Sequence, residues 1–430
     1  MKPSCRKANA YKGCDGVYGL LGKTLSHSFS KRIHEKIDDE PYHLYETDDV
    51  GSFLTSNSFK GVNVTHPYKQ AVMNHLDTLD STAKKTDAVN TIVKKNHKLI
   101  GYNTDYLALR DIIQRRFPKD KNTTIGILGN GATMRSLKHA LNDENYRNIT
   151  IYARNPRKDE CPLNQISADV EVLINATPVG MYPNNNERFP FRLQDLRALT
   201  FVFDVVYNPF KTRLLMEAEA LGAETMNGLE LLIRQALLSR ALYKDKNDVE
   251  TKPTSLLRSL YEELSNIVLI GLPYAGKSHY GERLAKTLNK PFVDIDQYIE
   301  SHHGCTIERL FDTEGEAAFR HLEYKAIQDF GKKHGQIIAP GGGVVLSAEV
   351  MMALMQNGVL VFLDLDESLL AEHKMTGRPL ANTMQDFKKL KNERQSLYEH
   401  YCDIVVDKNT WDENVILGRI KEGLNAYFNR

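Results

Sequence analysis

Residues 267–278 read IVLIGLPYAGKS. An apolar run, Ile267 to Ile270, leads into a segment from Gly271 to Ser278 that fills the pattern G-x-x-x-x-G-K-[ST], and a helix-like stretch from Ser278 to Leu288 follows. Strand, glycine loop and helix in that order make a phosphate cradle. Gly271 and Gly276 let backbone N–H groups curl around phosphate oxygens, Lys277 reaches the β and γ phosphates, and the Ser278 hydroxyl is placed to ligate Mg²⁺. This part of the chain is expected to bind a nucleoside triphosphate.

The loop begins far into a chain of 430 residues, which is too long for a single core, so a separate fold is expected before it. Composition is that of an ordinary globular protein, with 41% apolar and 26% charged residues. With 56 basic against 55 acidic residues the net charge is +1, which gives no electrostatic reason to expect nucleic acid or an anionic membrane as partner. The five cysteines (Cys5, Cys14, Cys161, Cys305, Cys402) are scattered and never spaced as metal ligands or a redox pair. They read as reduced thiols of a cytoplasmic protein. The N-terminus lacks the apolar core of a signal peptide, and no run approaches a membrane span, so a soluble, intracellular protein with no membrane partner is expected. Nothing in the sequence specifies an oligomeric state.

A seam runs from Tyr243 to Asn266, charged and Pro-containing at first and helical at its end; it reads as a linker. Before it, strand-like runs lie at Val17 to Leu21, Gly61 to Val64, Ile125 to Leu128, Ile149 to Tyr152, Val172 to Asn175 and Phe201 to Val206. After it they lie at Ile267 to Ile270, Phe292 to Ile295, Ile337 to Ala339 and Val359 to Leu363. Helix-length segments separate them, so both halves are expected to be α/β with mostly parallel sheets.

In the first half, TIGILGNGATMR (124–135) is a strand, a glycine turn and a helix start, with Gly129, Gly131 and Ala132 at the turn. Alone, the pattern equally describes a simple tight turn. At the end of the next strand, however, come Arg154, Arg157 and Lys158 in IYARNPRK. A free ribose 2′-OH favours an acid there and a 2′-phosphate favours arginine, so the pair of signals points to NADP(H). Upstream lie Ser28 and Ser30 in LSHSFSKRIH, Asn63, Thr65 and Lys69 in NVTHPYK, Asn90 in DAVNTI and Asp105 in GYNTD. Two hydroxyls two apart in an extended stretch face one side and can bond one carboxylate. A lysine paired with an aspartate suits proton delivery to a carbonyl oxygen; separately, each would be an ordinary surface residue.

HSFS, NVTHPYK, AVNTI, YNTD, GNGAT, NATPVGM, DVVYNPFKTRLL and NGLELLIRQA stand in the order found in shikimate dehydrogenase, which residues 17–243 resemble. The resemblance implies a substrate domain (residues 1–105, completed by helices at about 228–243), a Rossmann-type NADP domain (106–227), and NADPH-linked reduction of 3-dehydroshikimate to shikimate. It further implies that Ser28 and Ser30 hold the carboxylate, with Thr65, Asn90, Asp105 and Gln235 around the ring. Lys69 and Asp105 would be the catalytic pair, and Tyr207 and Gly228 would lie near the nicotinamide. Lys31 departs from the family's proline, and Gly131-Ala132 from its double glycine.

After the phosphate loop, FVDID puts Asp294 and Asp296 beside the nucleotide, one to serve Mg²⁺ and the other the acceptor hydroxyl. Asp364 in LVFLDLD is a rival metal carboxylate, read instead as a strand-end cap. GLPYAGKS, FVDIDQYIE, FDTEGEAAFRHLE, IIAPGGGVV, TGRPL and NERQSLY resemble shikimate kinase over residues 266–428. The likeness implies a P-loop domain (266–430) of the nucleoside monophosphate kinase type, following a linker (244–265). Asp296, Arg320, Gly342 and Arg394 would bind shikimate, Asp296 would accept the proton of the 3-hydroxyl, Lys277 and Arg378 would neutralise the transferring phosphoryl group, and Ser278 and Asp294 would hold Mg²⁺. The lid, Glu372 to Leu380, offers His373 and Lys374 where an arginine often covers adenine.

The two likenesses together predict one bifunctional enzyme that uses NADP(H), ATP and Mg²⁺. Two rivals remain at this stage. One is a ligand-sensing regulator built from the same domains, against which stand Lys69, Asp105, Lys277, Asp294, Asp296, Arg320 and Arg394, all retained. The other is a first half that acts on quinate, against which stands the basic turn at Arg154.

Overall fold

Every apolar run picked out above carries a strand, because β-branched and aromatic residues buried on both faces need partners on both sides. The computed structural model describes residues 17–25, 28–56, 59–246, 252–370 and 383–429. The chain divides into two compact units, Met1–Leu257 and Arg258–Arg430.

The first unit holds two six-stranded sheets. One contains β1 (Val17–Gly22), β2 (Tyr42–Glu46), β3 (Phe59–Val64), β4 (Thr78–Leu79), β5 (Thr91–Lys95) and β6 (Lys98–Tyr102), in the order β2-β1-β3-β5-β6-β4. β2, β1 and β3 run parallel, whereas β3-β5 and β5-β6 are antiparallel. The β5-β6 hairpin carries polar runs, KK and NHK, that hid it from a reading based on apolar stretches.

The second sheet contains β7 (Ile125–Leu128), β8 (Ile149–Ala153), β9 (Cys161–Pro162), β10 (Val172–Asn175), β11 (Phe201–Asp204) and β12 (Glu224–Met226). Its order, β12-β11-β10-β7-β8-β9, is parallel throughout. This is the doubly wound dinucleotide-binding order, and the topological switch lies between β7 and β10. The helices Thr104–Arg116 and Ala132–Asp143 pack on this sheet through Leu109, Ile112, Leu137 and Leu141, all buried.

The helix Leu229–Lys244 follows the second sheet in sequence but returns to the first. Its Ser239 joins a buried polar hub on β3 and β5, and its Tyr243 ring stacks on Tyr18 of β1 at 4.8 Å. Arg240, fully buried, pairs with Asp38 and lies over the Tyr18 ring.

The second unit has one parallel sheet of β13 (Asn266–Ile270), β14 (Phe292–Asp294), β15 (Ile337–Ala339), β16 (Gly358–Leu365) and β17 (Ile404–Lys408), ordered β14-β15-β13-β16-β17. β13, centrally placed, delivers the glycine loop. The helical end of the expected linker is the helix Pro253–Leu264; its far end is tied into this unit, where Lys290 Nζ donates to Glu263 O at 2.7 Å and Gly335 N to Leu264 O at 2.8 Å. Asp364 is not a strand-end cap: β16 runs on through Leu365, which places Asp364 inside the strand opposite Asp407.

Candidate active sites

In the first unit the parallel strands β1 and β3 end side by side, and the chain leaves each one carrying functional residues. After β3 come Thr65, whose N–H bonds Leu21 O at 2.9 Å, and Lys69. The Lys69 ammonium meets Asp105 Oδ2 at 2.7 Å, both side chains half-buried. Asp105 owes its place to the start of the helix Thr104–Arg116, where Asn103 caps the Tyr106 N–H through its side chain. Asn90 secures the same turn: its Oδ1 accepts from Thr104 N at 2.7 Å, and its Nδ2 donates to Thr104 Oγ1 at 3.0 Å.

After β1 come Ser28 and Ser30, whose hydroxyls lie 3.1 Å apart. The expectation of an extended stretch is corrected here. Phe29 is in the α region (φ −85°, ψ −2°) and Ser30 opens a helix, so a turn and not a strand brings the hydroxyls together. Tyr207, beyond β11, hydrogen-bonds the Ser28 side chain, and burial raises its phenol. Gln235 Nε2 donates to Leu232 O at 2.8 Å on the returning helix.

Asn63 has a different role from its neighbours in NVTHPYK. Its Oδ1 accepts from Tyr42 and Tyr243, each at 2.8 Å, and its Nδ2 reaches Asn90 O, Thr91 Oγ1 and Ser239 Oγ at 3.3, 3.1 and 2.8 Å. An amide so fully engaged is a joint between β3, β5 and the returning helix. Its partners are up to 180 positions away, so no local signal announces it.

In the doubly wound sheet, Gly129 (φ +100°) turns the chain after β7, and Gly131 stands at the N-cap of the helix Ala132–Asp143 with no side-chain cap. The first N–H groups of a helix left without a side-chain cap are donors of the kind an anion accepts. Arg154, Arg157 and Lys158 lie on the turn after β8, as expected, but two carboxylates that the sequence reading passed over lie among them. Arg154 is 75% exposed with its guanidinium 3.9 Å from Glu187, while nearly buried Glu160 accepts from Arg157 N and Asn130 Nδ2 at 2.9 and 2.8 Å. Beside the turn is a cleft of about 290 Å³ whose charged lining is Arg135, Lys138, Arg157 and Lys158 with Asp159 and Glu160, four cations to two acids. Buried Nε and Nη2 of Arg135 have no hydrogen-bond partner among the described residues. Orphaned guanidinium donors beside an uncapped helix N-terminus fit an anionic dinucleotide. Gly228 N-caps the returning helix, and a Cβ there would overlap Val205 O. Burial pushes the Asp204 carboxyl at the end of β11 up to about 7, although Thr212, Asn175 and Val206 N all donate to it.

In the second unit Gly276 adopts φ +85° at the N-cap of the helix Lys277–Leu288, a conformation other residues enter at a cost. Lys277 Nζ donates to Gly271 O and Leu272 O at 2.9 and 3.2 Å, so the lysine arches over its own loop. Ser278 Oγ hydrogen-bonds Asp294 Oδ2, and Asp294 Oδ1 caps Gln297 N. β14 ends at Asp294 and a helix starts at Ile295, which separates the two acids of FVDID: Asp294 faces the loop serine, while Asp296 faces Gly341. A hydroxyl and a carboxylate are donors that a hard divalent cation accepts. No cluster of three or more His, Cys, Asp or Glu among the described residues forms a separate metal site.

The triple glycine threads between side chains. A Cβ on Gly343 would overlap the Arg320 guanidinium, and one on Gly341 would press on Asp296 and Glu323. Arg320 donates to Glu323 Oε2 at 2.7 Å, and buried Arg394 donates to Gly342 O at 3.2 Å, where Tyr398 OH also bonds at 2.5 Å. Glu323, absent from the sequence reading, is 1% exposed; burial raises its carboxyl against the pull of Arg320. Its position three residues after Arg320, on the same helix face, was the available signal. Arg378, with the lid from Glu372 to Leu380, lies outside the described residues.

Residues 20–92 match the family model described as the shikimate dehydrogenase substrate binding domain, and residues 273–425 match that of shikimate kinase. A shikimate dehydrogenase (NADP(+)) of Clostridium beijerinckii is 33% identical over 57% of this chain and 97% of its own length. The chain belongs to the shikimate dehydrogenase family. A crystal structure of a chorismate mutase/shikimate 5-dehydrogenase fusion protein from Clostridium acetobutylicum is also similar, at 30% identity and a TM-score of 0.52, covering 58% of this chain and 98% of that one. So is that of the Thermus thermophilus shikimate 5-dehydrogenase in complex with NADP(H) and shikimate, at 25% identity and a TM-score of 0.51, covering 56% and 97%. The shikimate kinase match, residues 273–425, does not overlap the substrate binding domain match, residues 20–92, so this chain carries a shikimate kinase domain in addition to its shikimate dehydrogenase part. No helix among the described residues is long and apolar enough to cross a membrane.

Proposed function

We infer that this chain performs two consecutive reactions, NADPH-dependent reduction of 3-dehydroshikimate to shikimate and ATP-dependent phosphorylation of shikimate to shikimate 3-phosphate. The observation that carries the first step is the Lys69–Asp105 pair at 2.7 Å, brought from two motifs to the mouth of β3. Bound NADPH supplies the hydride to the carbonyl carbon. Lys69 then gives a proton to the oxygen that becomes the hydroxyl, while Asp105 keeps the ammonium oriented and charged. Ser28 and Ser30 hold the substrate carboxylate, Thr65, Asn90 and Gln235 surround the ring, and Tyr207 with Gly228 borders the nicotinamide. The loop of Gly129, Gly131 and Ala132 takes the pyrophosphate, and Arg154, Arg157 and Lys158 take the 2′-phosphate.

In the kinase half, Gly271, Gly276 and Lys277 cradle the phosphates. Asp296 accepts the proton of the attacking 3-hydroxyl, Arg320 and Arg394 hold the shikimate carboxylate near Gly342, and Arg378 joins Lys277 in neutralising the moving phosphoryl group. Mg²⁺, held by Ser278 and Asp294, supplies positive charge to the phosphate oxygens. The setting is the cytoplasm, in keeping with free Cys161, Cys305 and Cys402. Incubating the purified protein with 3-dehydroshikimate, NADPH and MgATP tests the reading. NADPH loss followed by ADP release in step with shikimate formation is expected; NADPH loss without ADP release, or neither, would refute it.

A further inference from the structure

Lys408, the last residue of β17, is 1% exposed, and among the described residues no carboxylate pairs with it. Its ammonium instead donates to Ala275 O at 3.2 Å and Tyr274 O at 3.4 Å, both in the phosphate loop. It lies 3.9 Å from the centre of the Trp411 ring and 5.3 Å from that of Tyr280, and 3.5 Å from where a Cβ on Gly276 would be. A buried ammonium with only carbonyls and aromatic faces around it is costly to keep charged. Burial, and next the neighbouring Lys277 charge, lower it to about 8.

We propose that Lys408 is a positioning residue for the kinase reaction: it clamps the Ala275–Gly276 peptide from behind and sets a second positive charge under the triphosphate. The proposal rests on the kinase reading above. The peptide unit is planar and trans, so its C=O and N–H point to opposite sides. Holding Ala275 O toward Lys408 therefore turns the Gly276 N–H away from β17, to the side on which the loop can receive phosphate. The bound anion supplies the counter-charge that the folded chain withholds. The charged and titratable groups facing Lys408 among the described residues are Lys277 and Tyr280, both from the helix behind the loop; Glu413 and Asp412 act on Tyr280. None of them compensates the ammonium directly.

The full-length Lys408→Met variant, which keeps an unbranched apolar stem between the two rings, is expected to raise KM for MgATP and Kd for inorganic tripolyphosphate about tenfold or more. Shikimate KM and dehydrogenase turnover should stay within about twofold. Unchanged MgATP and tripolyphosphate constants in a variant that still binds shikimate would overturn the proposal, as would parallel loss of both kinase substrates. The unmodified protein gives a second measurement: calorimetry of MgATP binding at pH 8.5, in buffers of different ionisation heat, should reveal net proton uptake as the triphosphate restores the Lys408 proton. Absence of uptake would overturn the proposal even if the variant failed to fold. Absence of kinase activity in the unmodified protein would count against the kinase reading instead.

Discussion

The Lys69 ammonium and the Asp105 carboxylate meet at 2.7 Å across 36 residues of chain, one from the segment after β3 and the other from the first turn of a helix. If Lys69 delivers the proton, Lys69→Ala lowers dehydrogenase kcat by about 10² to 10⁴ and leaves kinase turnover intact. Steady-state rates of both reactions in one preparation decide it. A loss of tenfold or less takes Lys69 out of the proton path.

Arg154 stands three-quarters exposed with, among the described residues, only a distant carboxylate for company, so it is available to a 2′-phosphate. Arg154→Ala is expected to raise KM for NADPH by about tenfold to a hundredfold, and KM for NADH far less, as loss of a charge-assisted contact requires. The measurement is initial rate against each cofactor. Equal KM values for NADPH and NADH in the unmodified protein would rule the clamp out.

Gly343→Ala puts a methyl group into the Arg320 guanidinium. Arg320 must then shift from Glu323, and the carboxylate site shifts with it, which predicts about a tenfold rise in shikimate KM with MgATP KM little changed. A shikimate KM within twofold of the original would mean that Arg320 does not hold substrate.

Burial, with Arg240 as the second cause, holds the His34 imidazole down to about 3, and its ring stacks on Tyr42 at 4.0 Å. The folded value is below that of the unfolded chain, about 6.5. Between these values the unfolded chain takes up a proton and the native state does not, so stability present above pH 6.5 is lost as pH falls toward 3. Asp204 acts in the opposite sense: raised to about 7, it keeps a proton that the unfolded chain releases above about 3.8, so its share is lost as pH rises. A wild-type profile alone would therefore mix the two. Relative to wild type, His34→Phe should gain about 2 kcal/mol between pH 8 and pH 5. Hydrogen exchange of peptides from β1 to β3, corrected for intrinsic rates, reads the difference; identical pH dependence in both proteins would show that His34 does not stay neutral in the native state.

The phosphate loop was legible because its parts are contiguous, and backbone geometry alone ties Gly276, Lys277 and Ser278 to one another. The doubly wound sheet was legible for a similar reason, since its central strands are unbroken apolar runs. The Lys69–Asp105 contact was suggested by residue type but required the topology of β3, β5 and β6 to exist. The joint role of Asn63 and the place of Lys408 escaped because they depend on buried partners far away in sequence, whereas Glu323 had a local signal, its spacing of three from Arg320, that the reading passed over. Ser28 and Ser30 show a different failure: the hydroxyls do meet, through a turn at Phe29 that residue alternation cannot represent.

Asn63 depends on Ser239, and this dependence sets an order of events during synthesis. Asn63, with its partner Thr91, leaves the ribosome long before the helix that brings Ser239, which trails by 176 residues. At bacterial-type elongation rates of about 5 to 20 residues per second, that interval is roughly 9 to 35 s. The sheet from β7 to β12 is translated in full within it, so the part of the protein made first is the later of the two to be completed. Until then the Asn63 amide and the ring site of Tyr243 stand open to water, and a nascent chain stalled before Ser239 would expose them to proteases and chaperones.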